Sequence, residues 1–290
     1  MTKNIWNKSV IVALCAILCS ALWGSAFSFI KLGYRLFVID SADTASQILF
    51  AGIRFTLAGI LTVIFGSIIS RQLLIPKKES AGRIFRLSLV QTVLQYIFFY
   101  IGLAHTSGVN ASIIEGVNIF IAIVIASLIF KQEELNAKKI IGCVLGFAGI
   151  VLVNLSGGNS FTNLNLLGDG SILMSAIAYA FSSAIIKKYS EYENPVVLSG
   201  YQFAVGGTIM TIAGLIFGGR ITTVSLGGMS VLFYLAFVSA FSYSLWGILL
   251  KYNDVSKVTI YAFTNPLFGV LCIGFCRYSL SQSFRRQFIY

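Results

Sequence analysis

Long apolar runs separated by short polar breaks dominate the chain, and their length and number decide its class. Nine blocks of 16 to 23 residues stand out, at Val10–Lys31, Ile48–Ser70, Ile84–Leu103, Val109–Phe130, Ile140–Leu155, Gly168–Ile186, Val196–Phe217, Met229–Leu250 and Val258–Cys276. Most approach the ~20 residues with which a helix crosses a ~30 Å hydrocarbon layer. Lipid offers backbone amides no partner, so such spans must be helical, and the period of two that marks barrel strands is missing from them. The pattern predicts an all-α, polytopic membrane protein in contact with a lipid bilayer. Composition agrees: 57% of the 290 residues are apolar, 11% are charged, and the mean hydropathy is +0.86.

Charge refines the picture through its placement rather than its sum. A net +11 would suggest nucleic acid in a soluble chain. Here fourteen Lys and Arg fall in the N-terminal segment and on the loops that share its side, against three on the other side before the tail. That bias puts the N-terminus in the cytoplasm and leaves no role for nucleic acid. The first block, although it follows Lys3 and Lys8, is longer than the about 7–15 apolar residues of a secretory signal and precedes eight more blocks, so it reads as a retained helix. All five cysteines fall inside blocks and a single histidine, His105, is present, so neither a metal site, a cofactor nor a disulfide is expected. No phosphate loop of the GxxxxGK[ST] type occurs, and nothing clusters for acid–base chemistry, which argues against an enzyme.

The two halves resemble each other in order. Trp23 and Lys31 share the spacing of Tyr179 and Lys187; Ala51-Gly52-Ile53-Arg54-Phe55 parallels Ser199-Gly200-Tyr201-Gln202-Phe203, with Gly59 matching Gly207; and Asn118-Ile119-Phe120 parallels Asn265-Pro266-Leu267. Residues 1–155 therefore form a first five-helix repeat, 156–276 a second of four helices, and 277–290 an atypical tail. An odd helix count turns the second copy upside down, giving inverted five-helix repeats with 5+4 helices of an expected 5+5. Apolar helices also resemble one another by composition, which could account for any one match alone.

The segment Leu22 to Gly33, LWGSAFSFIKLG, resembles the first-helix signature of the drug/metabolite transporter superfamily, in its EamA-like branch. GIRFTLAG around Arg54-Phe55, the run Asn110-Ala111-Ser112, and NPLFGVL from Asn265 resemble that family at the corresponding places. The resemblance implies a ten-helix inner-membrane permease with both ends cytoplasmic, moving small metabolites such as amino acids, often outward. A channel or a membrane-embedded lipid-modifying enzyme is the competing reading. The tail CRYSLSQSFRRQFIY departs from the family: it has no acidic residue opposite Glu133 and no spanning run, and the echo of the fifth helix would fall at about 287–302. A truncated or frame-shifted, inactive product of a ten-helix gene is expected, with a nine-helix variant as the alternative.

Polar residues inside the blocks point to the substrate site, because ionisable groups at depth face a cavity or a partner. Arg54 and Glu115 each lie about six residues, or ~9 Å, in from the outer side, close enough for an ion pair. Ser112, Glu115 and Asn118 follow at intervals of three and share a helix face. Gln202 and Asn265 occupy the repeat positions of Arg54 and Asn118. Trp23, Tyr96, Tyr100, Tyr179, Tyr243 and Trp246 could stack on an organic substrate or hold a cation, or could instead mark interfacial belts. Arg54 could equally be structural glue. Pro266 is expected to bend the ninth helix. Gly142, Gly146 and Gly149 offer a face for close helix contact, left open by a missing tenth helix and so available for self-association into a homodimer.

Overall fold

The computed structural model describes residues 5–106, 108–155 and 165–269. Its helices are α1 (Ser9–Leu36), α2 (Thr44–Ser70), α3 (Lys78–His105), α4 (Gly108–Val124), α5 (Ala137–Leu155), α6 (Leu166–Tyr189), α7 (Pro195–Ile216), α8 (Leu226–Tyr252) and α9, which begins as Val255–Thr259. Six of them, α1, α2, α3, α6, α7 and α8, are by length and composition able to cross a membrane, and Ile113–Ile129 is a shorter apolar helix. Each of the nine apolar blocks coincides with a helix, the ninth being described only to residue 269, and no strand occurs among the described residues. The tail on which the truncation argument rests lies outside the described residues. The chain is an all-helical, multi-pass membrane protein.

Helix starts follow from local chemistry. Asp43 caps α2 by accepting the Ser46 amide (3.0 Å), Asn165 caps α6 through the Leu167 and Gly168 amides, and Ser225 caps α8 through Gly228. Asn194 does the same for α7, where Pro195 fills a first-turn position needing no N–H. The ends then sort into two faces. On one, Asn253 Nδ2 donates to the Trp6 carbonyl, Lys257 to Asn7, the Lys77 amide to Glu193, and Gln132 to Ala184. On the other, Ser46 bonds Arg220 and Asn165 bonds His105.

Helices α2 and α7 pack most closely, and glycine permits it. A Cβ on Gly52 would strike the Thr211 backbone, one on Gly59 would strike Ala204, and those on Gly207 and Gly200 would strike Thr56 and Val63. These contacts run in one antiparallel register, and shifting each partner by 148 positions turns the Gly52–Thr211 contact into Gly200–Val63. Gly24, within LWGSAF, has the backbone of Asn265 and Gly269 against it, which seats α9 on α1. The glycine face of α5 is not left open as expected. Phe263 of α9 covers Gly146, Ile260 lies beside Gly142, and Gly149 alone of the three has nothing within 4 Å.

Two helices depart from α geometry. In α3 a π segment covers Ser88–Leu94, and α4 ends in another at Ile125–Ile129. Ahead of Pro266, α9 tightens into a 3₁₀ segment, Ile260–Thr264, and resumes over 265–269. Proline has no amide to give the Ala262 carbonyl, and the Asn265 amide serves it instead, the local break expected at this proline.

Candidate substrate site

The interior polar residues converge on one small cavity of about 70 Å³ between α1, α2, α3, α4, α6, α8 and α9. Eight of the residues singled out in the sequence line it: Trp23, Arg54, Tyr96, Glu115, Asn118, Tyr179, Tyr243 and Asn265. Ala26, Phe27, Ile30, Gln95, Phe99 and Ala262 complete the wall and were not singled out as binding residues. Helical spacing could have found the two aromatic ones, since Phe27 lies four residues after Trp23 and Phe99 three after Tyr96.

The remaining candidates stand behind the wall. Trp246 packs against Trp23 with centroids 4.9 Å apart, and Tyr100 accepts from Arg54 Nη1 at 2.8 Å. Gln202 is fully buried and takes the Thr92 hydroxyl on its side-chain oxygen. The Ser112 side chain lies outside the described residues.

Arg54 does not form the ion pair with Glu115 that its depth allowed. Among the described residues the ion pairs are Lys139–Glu133 and Lys187–Asp254. Arg54, 2% exposed, donates instead to Tyr100, to Ser239 Oγ (2.9 Å) and from Nε to the Leu235 carbonyl (3.3 Å). The guanidinium thus ties α2 to α3 and α8, and with three bonds formed by five N–H groups it keeps donors to spare. Glu115 accepts Asn118 Nδ2 on Oε2 (3.1 Å); the buried Ser175 hydroxyl lies near its carboxylate, yet among the described residues no donor reaches Oε1 in bonding geometry.

Three pairs of equivalent positions touch across the centre. Trp23 meets Tyr179 at 6.2 Å between centroids, Phe55 stacks on Phe203 at 5.2 Å, and the Tyr96 and Tyr243 hydroxyls share a 2.5 Å hydrogen bond. The Phe55–Tyr96 contact is mirrored by Phe203–Tyr243. Likewise the Arg54–Ser239 bond is mirrored by Gln202–Thr92, with an amide in place of the cation. The third-to-eighth helix match was missed in the sequence, since Tyr96/Tyr243 sits among mostly dissimilar neighbours and the other identities, Ile101/Ile248 and Leu103/Leu250, are common apolar residues.

A membrane-embedded helical bundle with charged and aromatic groups around a central cavity defines the class: a multi-pass membrane transporter. The particular family follows from comparison. The EamA-like transporter family matches residues 10–155 and 166–281, and the chain belongs to that family. It is similar to an uncharacterized transporter of Archaeoglobus fulgidus, 28% identical with 93% of this chain and 89% of the relative covered. An uncharacterized inner membrane transporter of Escherichia coli, YedA, is 26% identical over 86% of this chain and 78% of its own. A solved structure described as "Crystal structure of protein" overlays with a TM-score of 0.71 at 14% identity, covering 92% of this chain and 90% of that one, and so shares the fold.

Proposed function

We propose that this transporter is a secondary permease that exports small zwitterionic metabolites, amino acids among them, by alternating access of two inverted halves in a bacterial plasma membrane, with its N-terminus cytoplasmic. One observation carries the substrate reading. Arg54 and Glu115, of opposite charge, face the same cavity without pairing to each other. Unlike charges apart in a low-dielectric space are best compensated by a ligand carrying both signs, its carboxylate toward Arg54 and its ammonium toward Glu115. The aromatic wall of Trp23, Tyr96, Tyr179 and Tyr243 then receives the apolar part of the molecule. Support for the inverted repeat comes from the mirrored α2–α7 register and from the three equivalent pairs in contact at the centre. The excess of Lys and Arg on the N-terminal side supports the orientation.

Efflux of labelled amino acids from cells lacking related carriers tests the reading. Saturable efflux with counterflow is expected from the intact chain, and E115Q should lower it at least tenfold. Ionised Glu115 holds the ammonium and protonated Glu115 releases it, so efflux should fall as the pH is lowered, and E115Q should remove that dependence. Non-saturating flux without counterflow would identify a channel and sink the proposal.

A further inference from the structure

We infer that the cavity selects primary ammonium groups, through three oxygen acceptors contributed by Glu115, Asn118 and Asn265. The inference rests on the cavity being the substrate site and adds which amines it accepts. Beside the main space, and sharing its wall, lies a narrower one of about 30 Å³ bounded by Phe27 of α1, by Glu115 and Asn118 of α4, and by Asn265 and Pro266 of α9. Three buried side-chain oxygens of its lining residues have no hydrogen-bond partner among the described residues: Glu115 Oε1, Asn118 Oδ1 and Asn265 Oδ1.

Glu115 accepts as a carboxylate, the bond to Glu115 orients Asn118, and no hydrogen bond among the described residues prevents Asn265 from turning its oxygen to a donor. A carboxylate can only accept, so the Asn118 NH₂ group must face Glu115 Oε2, and this directs the Asn118 oxygen away from that bond. Asn118 is 7% exposed, so bulk solvent does not satisfy it. Asn265 is its counterpart at an offset of 147, held close because Gly24 admits the α9 backbone. It stands where α9 resumes after the 3₁₀ segment.

A primary ammonium carries three N–H donors and no acceptor, a match for three acceptors of which one is anionic. Each N-methyl group removes a donor and leaves a buried oxygen unpaired. An aromatic cage alone behaves in the opposite way, since ring faces hold a quaternary ammonium well without hydrogen bonds. The order of affinity along a methylation series therefore separates a cage lined only by Trp23, Tyr179 and Tyr243 from a cage with a polar floor.

The test measures binding to the purified full chain, by quenching of tryptophan fluorescence and by calorimetry. Two probe series are used: phenylalanine with none to three N-methyl groups, and methylammonium through tetramethylammonium, which needs no side-chain or carboxylate subsite. Affinity should fall about tenfold with each lost donor. N265A should flatten the first step of each series while retaining binding, and E115Q should abolish it. Equal or tighter binding of the quaternary members, or no binding of either series, would overturn the inference. So would saturable Na⁺ binding that depends on Glu115 and Asn265 and is indifferent to amines. Graded binding without any counterflow would leave the ammonium site standing and remove the carrier reading. Counterflow indifferent to N-methylation would do the reverse.

Discussion

Arg54 shows how a cation is kept within the lipid layer without a carboxylate beside it. Three neutral acceptors on two other helices share its charge, and at the corresponding position the uncharged Gln202 also bridges to a hydroxyl, accepting from Thr92 where Arg54 donates to Ser239. The charge is thus dispensable for holding the helices, while the hydrogen bonds are not. R54Q should therefore retain the fold and lose zwitterion transport, whereas R54A, which strands the Tyr100 and Ser239 hydroxyls, should lower stability by about 2 kcal/mol or more. Unfolding in mixed detergent and efflux, measured on both variants, check the split; equal losses of stability would refute it. Asp43, the cap of α2, makes the same point at the surface. Hydrogen bonding by the Ser46 side chain and backbone holds its carboxyl below the ordinary carboxylate range. The cap then contributes stability at pH values above the ordinary carboxylate pKa, and that contribution is lost as the pH falls through the lowered value. D43A should cost about 1 kcal/mol at neutral pH, while D43N keeps an acceptor and loses the acid sensitivity.

Helices in lipid gain little from burying apolar surface against one another, so close packing at small residues decides which pairs form. The α2–α7 pair depends on Gly52, Gly59, Gly200 and Gly207, each with a neighbouring residue where its Cβ would sit. Gly149 of α5 has open space instead. G207A should thus destabilise by about 1–3 kcal/mol, because two backbones would have to separate. G149A should be neutral or stabilising by up to about 1 kcal/mol, the helix-propensity gain of alanine over glycine. Thermal unfolding of the two variants in one detergent compares them directly. The correspondence of Gly52 and Gly59 with Gly200 and Gly207 was legible in the sequence, but which helix each would meet was not. Gly146 looked free and is covered by Phe263, because the ring that fills the groove comes from a helix far along the chain. The π segments Ser88–Leu94 and Ile125–Ile129 left no mark either, since an inserted residue barely alters an apolar run.

On the scale of the whole molecule, the membrane class was legible because hydropathy and length determine it, and among the described residues six of the nine blocks are helices long and apolar enough to cross. The cavity was only half legible. Depth predicted that Trp23, Arg54 and Glu115 would meet, helix-face spacing added Asn118 and correspondence with Asn118 added Asn265, but bond directions, and so the absence of an Arg54–Glu115 pair, depend on side chains converging from several helices. One tie between the halves bears on how such a carrier moves. Glu133, in the turn between α4 and α5, accepts the Ser256 amide at 3.2 Å and its hydroxyl at 2.7 Å at the start of α9, and pairs with Lys139 at 3.2 Å. At the offset of 147 the counterparts of Glu133 and Ser256 are Leu280 and Val109, which have neither carboxylate nor hydroxyl. The N-terminal face carries this latch, and opening at that face must break charge-assisted bonds. Losing them, at about 1.5–3 kcal/mol for hydrogen bonds to a charged group, should speed amide exchange over 255–259 at least tenfold in E133A and leave α2 and α7 unchanged. If loading from that face limits export, E133A should also raise the efflux rate at saturating substrate. Unaltered exchange at Ser256 would show that the carboxylate does not hold this face shut.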